Sequence, residues 1–110
     1  MGISTHILDT SLGRPAAGVR VTLEQQAMQG WVQVSVGKTD DDGRCKTLTP
    51  EDFSAGEYRI SFDTGGYYGR KQEPTFYPVV RIVFEVTDAG EHYHVPLLLN
   101  PYGYSTYRGS

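Results

Sequence analysis

The fold is decided by alternating stretches such as EYRISFD at residues 57–63. Tyr58, Ile60 and Phe62 are apolar there, and the residues between them are polar or charged. Alternation with a period of two places one face of a strand on a core and the other face toward solvent, as in an antiparallel sheet. The same period recurs in three further stretches, residues 18–26, 31–37 and 79–87. The chain is therefore predicted to be all-β.

Shorter strand candidates complete the pattern, at residues 3–9, 43–48, 91–99 and 103–107. The clearest turn between strands is Asp42-Gly43, because glycine takes a positive φ at no steric cost. About eight short strands at this spacing predict a β-sandwich, with a small barrel as the alternative. Residues 64–77 show no alternation and are predicted to form a loop or one short helix.

The valines of residues 31–37 predict which side chains of that strand face the core. Val32, Val34 and Val36 alternate with polar residues, so the pattern predicts that all three point toward the core.

Length and charge exclude several classes of protein. The 110 residues predict one domain, spanning residues 1–110, because a chain of this size has room for a single core. A net charge of -3 argues against nucleic-acid binding, and no apolar run is long enough to span a membrane. The lone Cys45 cannot form an internal disulfide, and the first ten residues lack a secretory signal. These features predict a cytoplasmic protein.

The residues that could carry chemistry are histidine and arginine. His92 and His94 are two apart on a predicted strand, so both rings leave the same face. Together with His6 they could bind a metal ion, or they could simply be solvated. Arg44 starts a strand directly after the Asp42-Gly43 turn, where an exposed edge charge is the simpler interpretation. Cys45 should point away from Arg44 and is interpreted as a small apolar filler.

The C-terminal segment, residues 96–110, is aromatic and lacks a polar tail, which predicts that its last atoms are packed, for example against a partner subunit. Familiar hydrolase signatures, such as a Gly-x-Ser-x-Gly elbow or a His-Glu-x-x-His helix, are missing.

Five motifs together resemble a known family. They are THILD (5–9), GRPAAGV (13–19), TDDDGR (39–44), HYHVPLLL (92–99) and YRGS (107–110). This set resembles the transthyretin-related family of 5-hydroxyisourate hydrolases, enzymes of urate breakdown, over essentially the whole chain. The closing YRGS is the most specific element. Asn100 stands where the family commonly has Ser before Pro, and a turn role suits Asn equally well.

The resemblance implies the transthyretin fold, a sandwich of two four-stranded sheets with one short helix near Thr64–Arg70. It also implies a homotetramer, a dimer of dimers, with active sites in the channel between the dimers. On this fold His94 should point into the channel, while Tyr93 and Val95 face the core.

The resemblance further implies a site. The catalytic set would be His6, Arg44, His94 and Ser110. Substrate contacts would come from His6, Arg44, Tyr107, Arg108 and Gly109. His92 falls on a variable position with a supporting or incidental role.

The implied reaction is the opening of the cyclic amide of 5-hydroxyisourate by water, giving 2-oxo-4-hydroxy-4-carboxy-5-ureidoimidazoline. Histidine would assist water and Arg44 would stabilise the developing negative charge, with no metal or other cofactor. Two alternatives stay open. A carrier of the transthyretin type would bind a small molecule in the same channel without catalysis, and a metallohydrolase would use the histidines as ligands.

Overall fold

The computed structural model describes residues 2–110 as nine β-strands and one short helix. The strands are β1 (Gly2–Asp9), β2 (Arg14–Pro15), β3 (Arg20–Ala27), β4 (Gly30–Lys38), β5 (Arg44–Cys45), β6 (Gly56–Phe62), β7 (Val80–Val86), β8 (His92–Asn100) and β9 (Gly103–Thr106). The helix α1 spans Thr64–Arg70, where the family resemblance places it. No helix within residues 2–110 is long and apolar enough to cross a membrane.

The strands form two sheets. One has the order β4-β3-β6-β7, and the other has the order β2-β1-β8-β9 with β5 also paired to β1. Because β8 pairs with β1 along its whole length, β2 and β5 share the opposite edge of β1. The expected four strands are therefore correct for the first sheet. The second sheet is four strands wide but contains five, since two short strands occupy one edge.

The core lies between the two sheets, which confirms the sandwich rather than the barrel. Tyr58, Ile60 and Phe62 are fully buried, as their alternation predicts. Leu97 on β8 and Cys45 on β5 belong to the same buried cluster, so Cys45 is indeed an apolar filler that points away from the exposed Arg44.

Strand β4 departs from the predicted alternation. Val34 packs against the core, but Val32 and Val36 are 48% and 41% exposed. The ladder between β3 and β4 shifts register at Val34, which is an extra residue with no partner on β3. The prediction is wrong for Val32 and Val36 because this bulge changes which side chains point inward, and because β4 lies at the edge of its sheet.

Asp9, at the end of β1, fastens helix α1 to the sheet. Its buried carboxylate accepts hydrogen bonds from the hydroxyls of Tyr67 at 2.7 Å and Ser11 at 2.6 Å, and the Lys71 ammonium lies 3.5 Å away. Burial by itself would raise the pKa of Asp9, but these hydrogen bonds and the Lys71 charge outweigh it, so the pKa is lowered. Asp9 is thus a paired, ionised anchor for the helix.

Candidate active site

The outer face of the β1–β8 sheet carries the histidines. Ile3, Thr5 and Ile7 on β1 are buried, so Ser4 and His6, which alternate with them, point outward. On β8, Tyr93 and Val95 are buried in the core and His94 lies on the outer face. The expected orientation of His94 relative to the core is therefore confirmed, because side chains alternate along a strand.

The register of the strands arranges these side chains in two adjacent rows. In one row, Arg44 on β5 lies opposite His6 on β1, and His6 lies opposite Pro96 on β8. In the next row, Ser4 lies opposite His94. His6 and His94 are diagonal neighbours, with Cα atoms about 8 Å apart on ideal sheet spacings.

A tight turn before β5 aims Arg44 at this face. The Asp40 carboxylate accepts hydrogen bonds from the backbone amides of Asp42 at 2.9 Å and Arg44 at 3.0 Å. The amide of Arg44 is the main cause that lowers the pKa of Asp40. Gly43 has φ +74, and a Cβ there would lie 2.5 Å from the Ile7 carbonyl oxygen, so the turn requires glycine. The turn predicted at Asp42-Gly43 is confirmed.

Sequence reasoning missed Ser4. Its hydroxyl lies 2.8 Å from Nε2 of His92 and 2.8 Å from Nδ1 of His94. One oxygen thus bridges the two rings, and His92 contacts the site through it. The only sequence signal was indirect: Ser4 is two residues before His6, so both share the outer face of β1.

The pKa of His94 is lowered from its usual value. Burial of the ring is the largest cause, and the Arg44 charge adds repulsion against a charged imidazole. His92 and His6 act in the same direction, whereas hydrogen bonding with the Ser4 backbone opposes them. Together these effects favour a neutral His94 at pH 7, the form that can accept a proton.

The C-terminal segment returns to the site after β9 ends. Strand β9 pairs with β8 only as far as Leu97, and Pro96 has no N–H to continue the ladder. The chain then crosses to His94, whose carbonyl oxygen accepts a hydrogen bond from the Gly109 amide at 2.9 Å. This contact brings Gly109 against the His94 ring and the exposed Ser110 next to it along the chain.

The other residues of the YRGS motif are placed differently. The Arg108 guanidinium lies 4.5 Å from the centre of the Tyr93 ring, and it donates to Glu91 at 3.2 Å and to the His92 carbonyl at 3.3 Å. Tyr107 is exposed. Arg108 is therefore engaged in anchoring the terminal segment to β8.

Two depressions flank the histidines. One, of ≈ 410 Å³, has a mixed lining, in which Ile3 and Cys45 lie beside the polar and charged Ser4, Arg44, Lys46 and His92. The other, of ≈ 230 Å³, is mostly apolar and lies between β7 and the terminal segment, with His94 at its wall. Within residues 2–110, no group of three or more His, Cys, Asp or Glu side chains is arranged to hold a metal ion.

The sequence profile of the HIUase/Transthyretin family matches residues 3–109. This chain belongs to that family. The 5-hydroxyisourate hydrolase of Salmonella typhimurium is 53% identical over 109 residues, covering 98% of this chain and 80% of the relative. The matched residues include all five sequence motifs except the final Ser110.

Solved structures that superpose on this chain include a 5-hydroxyisourate hydrolase and a transthyretin in complex with thyroxine. A Klebsiella pneumoniae 5-hydroxyisourate hydrolase superposes with a TM-score of 0.88 at 35% identity, covering 100% of both chains. Sea bream transthyretin in complex with thyroxine superposes with a TM-score of 0.92 at 33% identity, covering 99% of this chain and 95% of that chain. The HIUase/transthyretin backbone is thus common to a hydrolase and a thyroxine complex, so the fold by itself does not decide the function.

Proposed function

We propose that this chain is a 5-hydroxyisourate hydrolase, which opens the cyclic amide of its substrate with water to give 2-oxo-4-hydroxy-4-carboxy-5-ureidoimidazoline. The observation that carries the proposal is the placement of His6, Arg44 and His94 on one outer face in adjacent register rows. The name and 53% identity of the Salmonella typhimurium relative support the same substrate.

His6 and His94 share the work of general base. A neutral imidazole accepts a proton from water near pH 7, and the resulting hydroxide attacks the amide carbon. The second proton of that water finally leaves the new carboxyl group, and the first is delivered to the leaving nitrogen. The lowered pKa of His94 supports this role because it keeps the ring neutral.

Arg44 stabilises the oxyanion that forms during attack. Its guanidinium is charged at all relevant pH values and carries several donors in a fixed plane. Its pairing opposite His6 on the sheet supports this role, because a guanidinium there would lie beside the carbonyl that the activated water attacks. The Asp40 turn favours catalysis because the arginine backbone is already held in place before substrate arrives.

The terminal segment completes the site in this proposal. The Ser110 hydroxyl orients the attacking water or one imidazole, and Tyr107 contacts the substrate. Gly109 brings the segment against His94, which supports its assignment. Arg108 acts mainly through the segment that it anchors, since its guanidinium is already paired with Glu91 and stacked on Tyr93.

The active unit is proposed to be a homotetramer, a dimer of dimers, whose channel encloses the outer face. Strands β7 and β9 end their sheets with unpaired edges, and Val83 and Tyr104 on them are 55% and 42% exposed. Edges of this kind pair readily with a second copy. Sedimentation at assay concentrations tests this: a fully active monomer would contradict it.

Ultraviolet decay of freshly generated 5-hydroxyisourate, with and without protein, tests the activity. We expect rapid decay with the native chain and decay near the spontaneous rate with His6→Ala, although the variant keeps its fold. Treatment with a chelator should leave the rate unchanged, and loss of activity that added metal restores would favour the metallohydrolase instead.

The rival function is a small-molecule carrier, favoured by the overlap with the thyroxine complex of sea bream transthyretin. The cationic Arg44 and the three histidines on or beside the outer face argue for polar chemistry over an apolar hormone site. Binding of thyroxine without any acceleration of 5-hydroxyisourate decay would establish the carrier.

A further inference from the structure

Ser4 holds a position that the family motifs do not explain. Its Oγ lies 2.8 Å from His94 Nδ1 and 2.8 Å from His92 Nε2. A serine hydroxyl has one proton to donate and two lone pairs. When both rings are neutral, Ser4 donates to one imidazole and accepts an N–H from the other. The bridge therefore links the tautomers of the two histidines.

The Nε2 nitrogen of His94 decides which tautomer could act as a base. Within residues 2–110, His94 Nε2 has no protein hydrogen-bond partner, whereas Nδ1 is engaged by Ser4. A base that takes a proton from substrate water needs its lone pair at the free nitrogen, so the ring proton must reside on Nδ1. Ser4 then accepts from His94 and donates its own proton to His92.

We infer that Ser4 and His92 are positioning residues that hold His94 as the Nδ1–H tautomer, with the Nε2 lone pair directed to the outer face. The catalytic meaning of this inference rests on the proposed function, because it explains how His94 is prepared as a base. The structural basis of the inference is the pair of hydrogen bonds that Ser4 makes with His92 and His94.

The arrangement couples His94 to the charge of His92. A protonated His92 donates from both nitrogens, so Ser4 can no longer donate to it. The Ser4 proton is then free to turn toward His94 Nδ1, which would place the His94 proton on Nε2. Other charges act on the same pair. Arg44 and Lys46 line the depression beside His92, His6 lies diagonal to His94, and the Arg108–Glu91 pair adjoins the His92 backbone.

Nitrogen NMR of histidine-labelled protein tests the assignment without any substrate. Ring-nitrogen shifts distinguish the Nδ1–H and Nε2–H tautomers. At mildly alkaline pH we expect Nδ1–H for His94 in the native protein and a marked loss of that form in Ser4→Ala and in His92→Ala. Ser4→Thr keeps the bridging hydroxyl on a strand that tolerates threonine, and it should retain the Nδ1–H form.

Kinetics supply the second readout. Ser4→Ala should lower kcat about 10-fold with little change in KM, a part of the ~100- to 10,000-fold that general-base assistance supplies. His92→Ala should also lower kcat with little change in KM, because Ser4 then has no second ring to which it can donate its proton.

Native His94 in the Nε2–H form, or an unchanged Nδ1–H form in both alanine variants, would overturn the inference. An inactive native protein that shows the expected tautomers would instead count against the hydrolase function. Failure of the tautomer assignment and failure of the hydrolase function can thus be told apart.

Discussion

The backbone amide of Gly109 donates a hydrogen bond to the His94 carbonyl oxygen at 2.9 Å, and a Cβ on Gly109 would lie only 2.5 Å from His94 Cδ2. The terminal segment therefore lies directly against the imidazole that the proposed mechanism uses as a base. The same Cβ would be 3.3 Å from Pro96 Cγ, so the position is enclosed on two sides. Glycine is needed at residue 109 because of this close approach.

Replacing Gly109 with alanine should displace the His94 ring or the terminal segment. A misplacement of about 1 Å costs roughly 100-fold in rate, and we expect a loss of that order in kcat/KM. The melting temperature should change little because the segment lies outside the core. Steady-state assays and thermal melts check both parts.

Gly69→Ala is the matched control. Nothing lies within 4 Å of a Cβ at Gly69, and alanine is favourable inside helix α1. Native activity in Gly109→Ala would show that the His94 ring does not need its present position.

Arg44→Ala should lower kcat without unfolding the protein. Loss of one oxyanion donor costs about 3 kcal/mol, which is roughly 100-fold in rate. Arg44 is exposed, so the free energy of unfolding should change by less than about 0.5 kcal/mol. Arg44→Lys should recover only part of the rate because an ammonium is a point charge. Equal rates for native protein and Arg44→Ala would exclude the oxyanion role.

The lowered pKa of His94 sets the direction of the pH dependence. Activity that needs neutral His94 persists as pH falls through the ordinary histidine value of ~6.5, and it is lost only below that. Arg44→Ala removes a repelling charge, so the pKa of His94 should rise and the acid limb should move to higher pH. An NMR titration of His94 in both proteins measures this shift, and a shift to lower pH would contradict it.

Asp9→Asn should be the most destabilising of these changes. Removal of one partner from a buried charged network costs ~3 kcal/mol or more, which corresponds to a fall of roughly 15 °C in melting temperature. The folded pKa of Asp9 is lowered, so its stabilisation is complete above the unfolded value of ~3.9 and is lost as pH falls through the folded pKa. Denaturant unfolding at neutral and acid pH measures both effects.

Glu24→Gln is the comparison for Asp9→Asn. Glu24 pairs with Arg59 at 2.8 Å, but both side chains are partly solvated, so the loss should stay below about 1 kcal/mol. Similar losses for the two variants would mean that burial of Asp9 adds nothing to its anchoring role.

Much of the site follows from local alternation. The period of two along β1 and β8 predicts that His94 points away from Tyr93, and the buried Tyr93 agrees. The Asp42-Gly43 turn could also be predicted from the sequence, because the positive φ that Gly43 adopts is a local property of glycine. The family motifs supplied His6, Arg44 and the terminal residues, whose chemical roles stay predictions.

The features that the sequence did not predict depend on strand register and on the edges of the sheets. Ser4 belongs to no catalytic motif, and its contact with two histidines exists only because β1 runs parallel to β8 with Ser4 opposite His94. The bulge at Val34 also escaped, since one inserted residue leaves the apolar pattern unchanged while it alters which side chains face the core.

The amino-acid sequence by itself determined the strand class, the inward and outward faces of β8, and the turn that precedes Arg44. These are short-range consequences of side-chain alternation and backbone sterics. Only the tertiary structure decided that Ser4 meets residues 88 and 90 positions away, and that Gly109 lies against His94. Such neighbours depend on strand order and register, which arise from hydrogen bonding and burial across the whole sandwich rather than from any single segment.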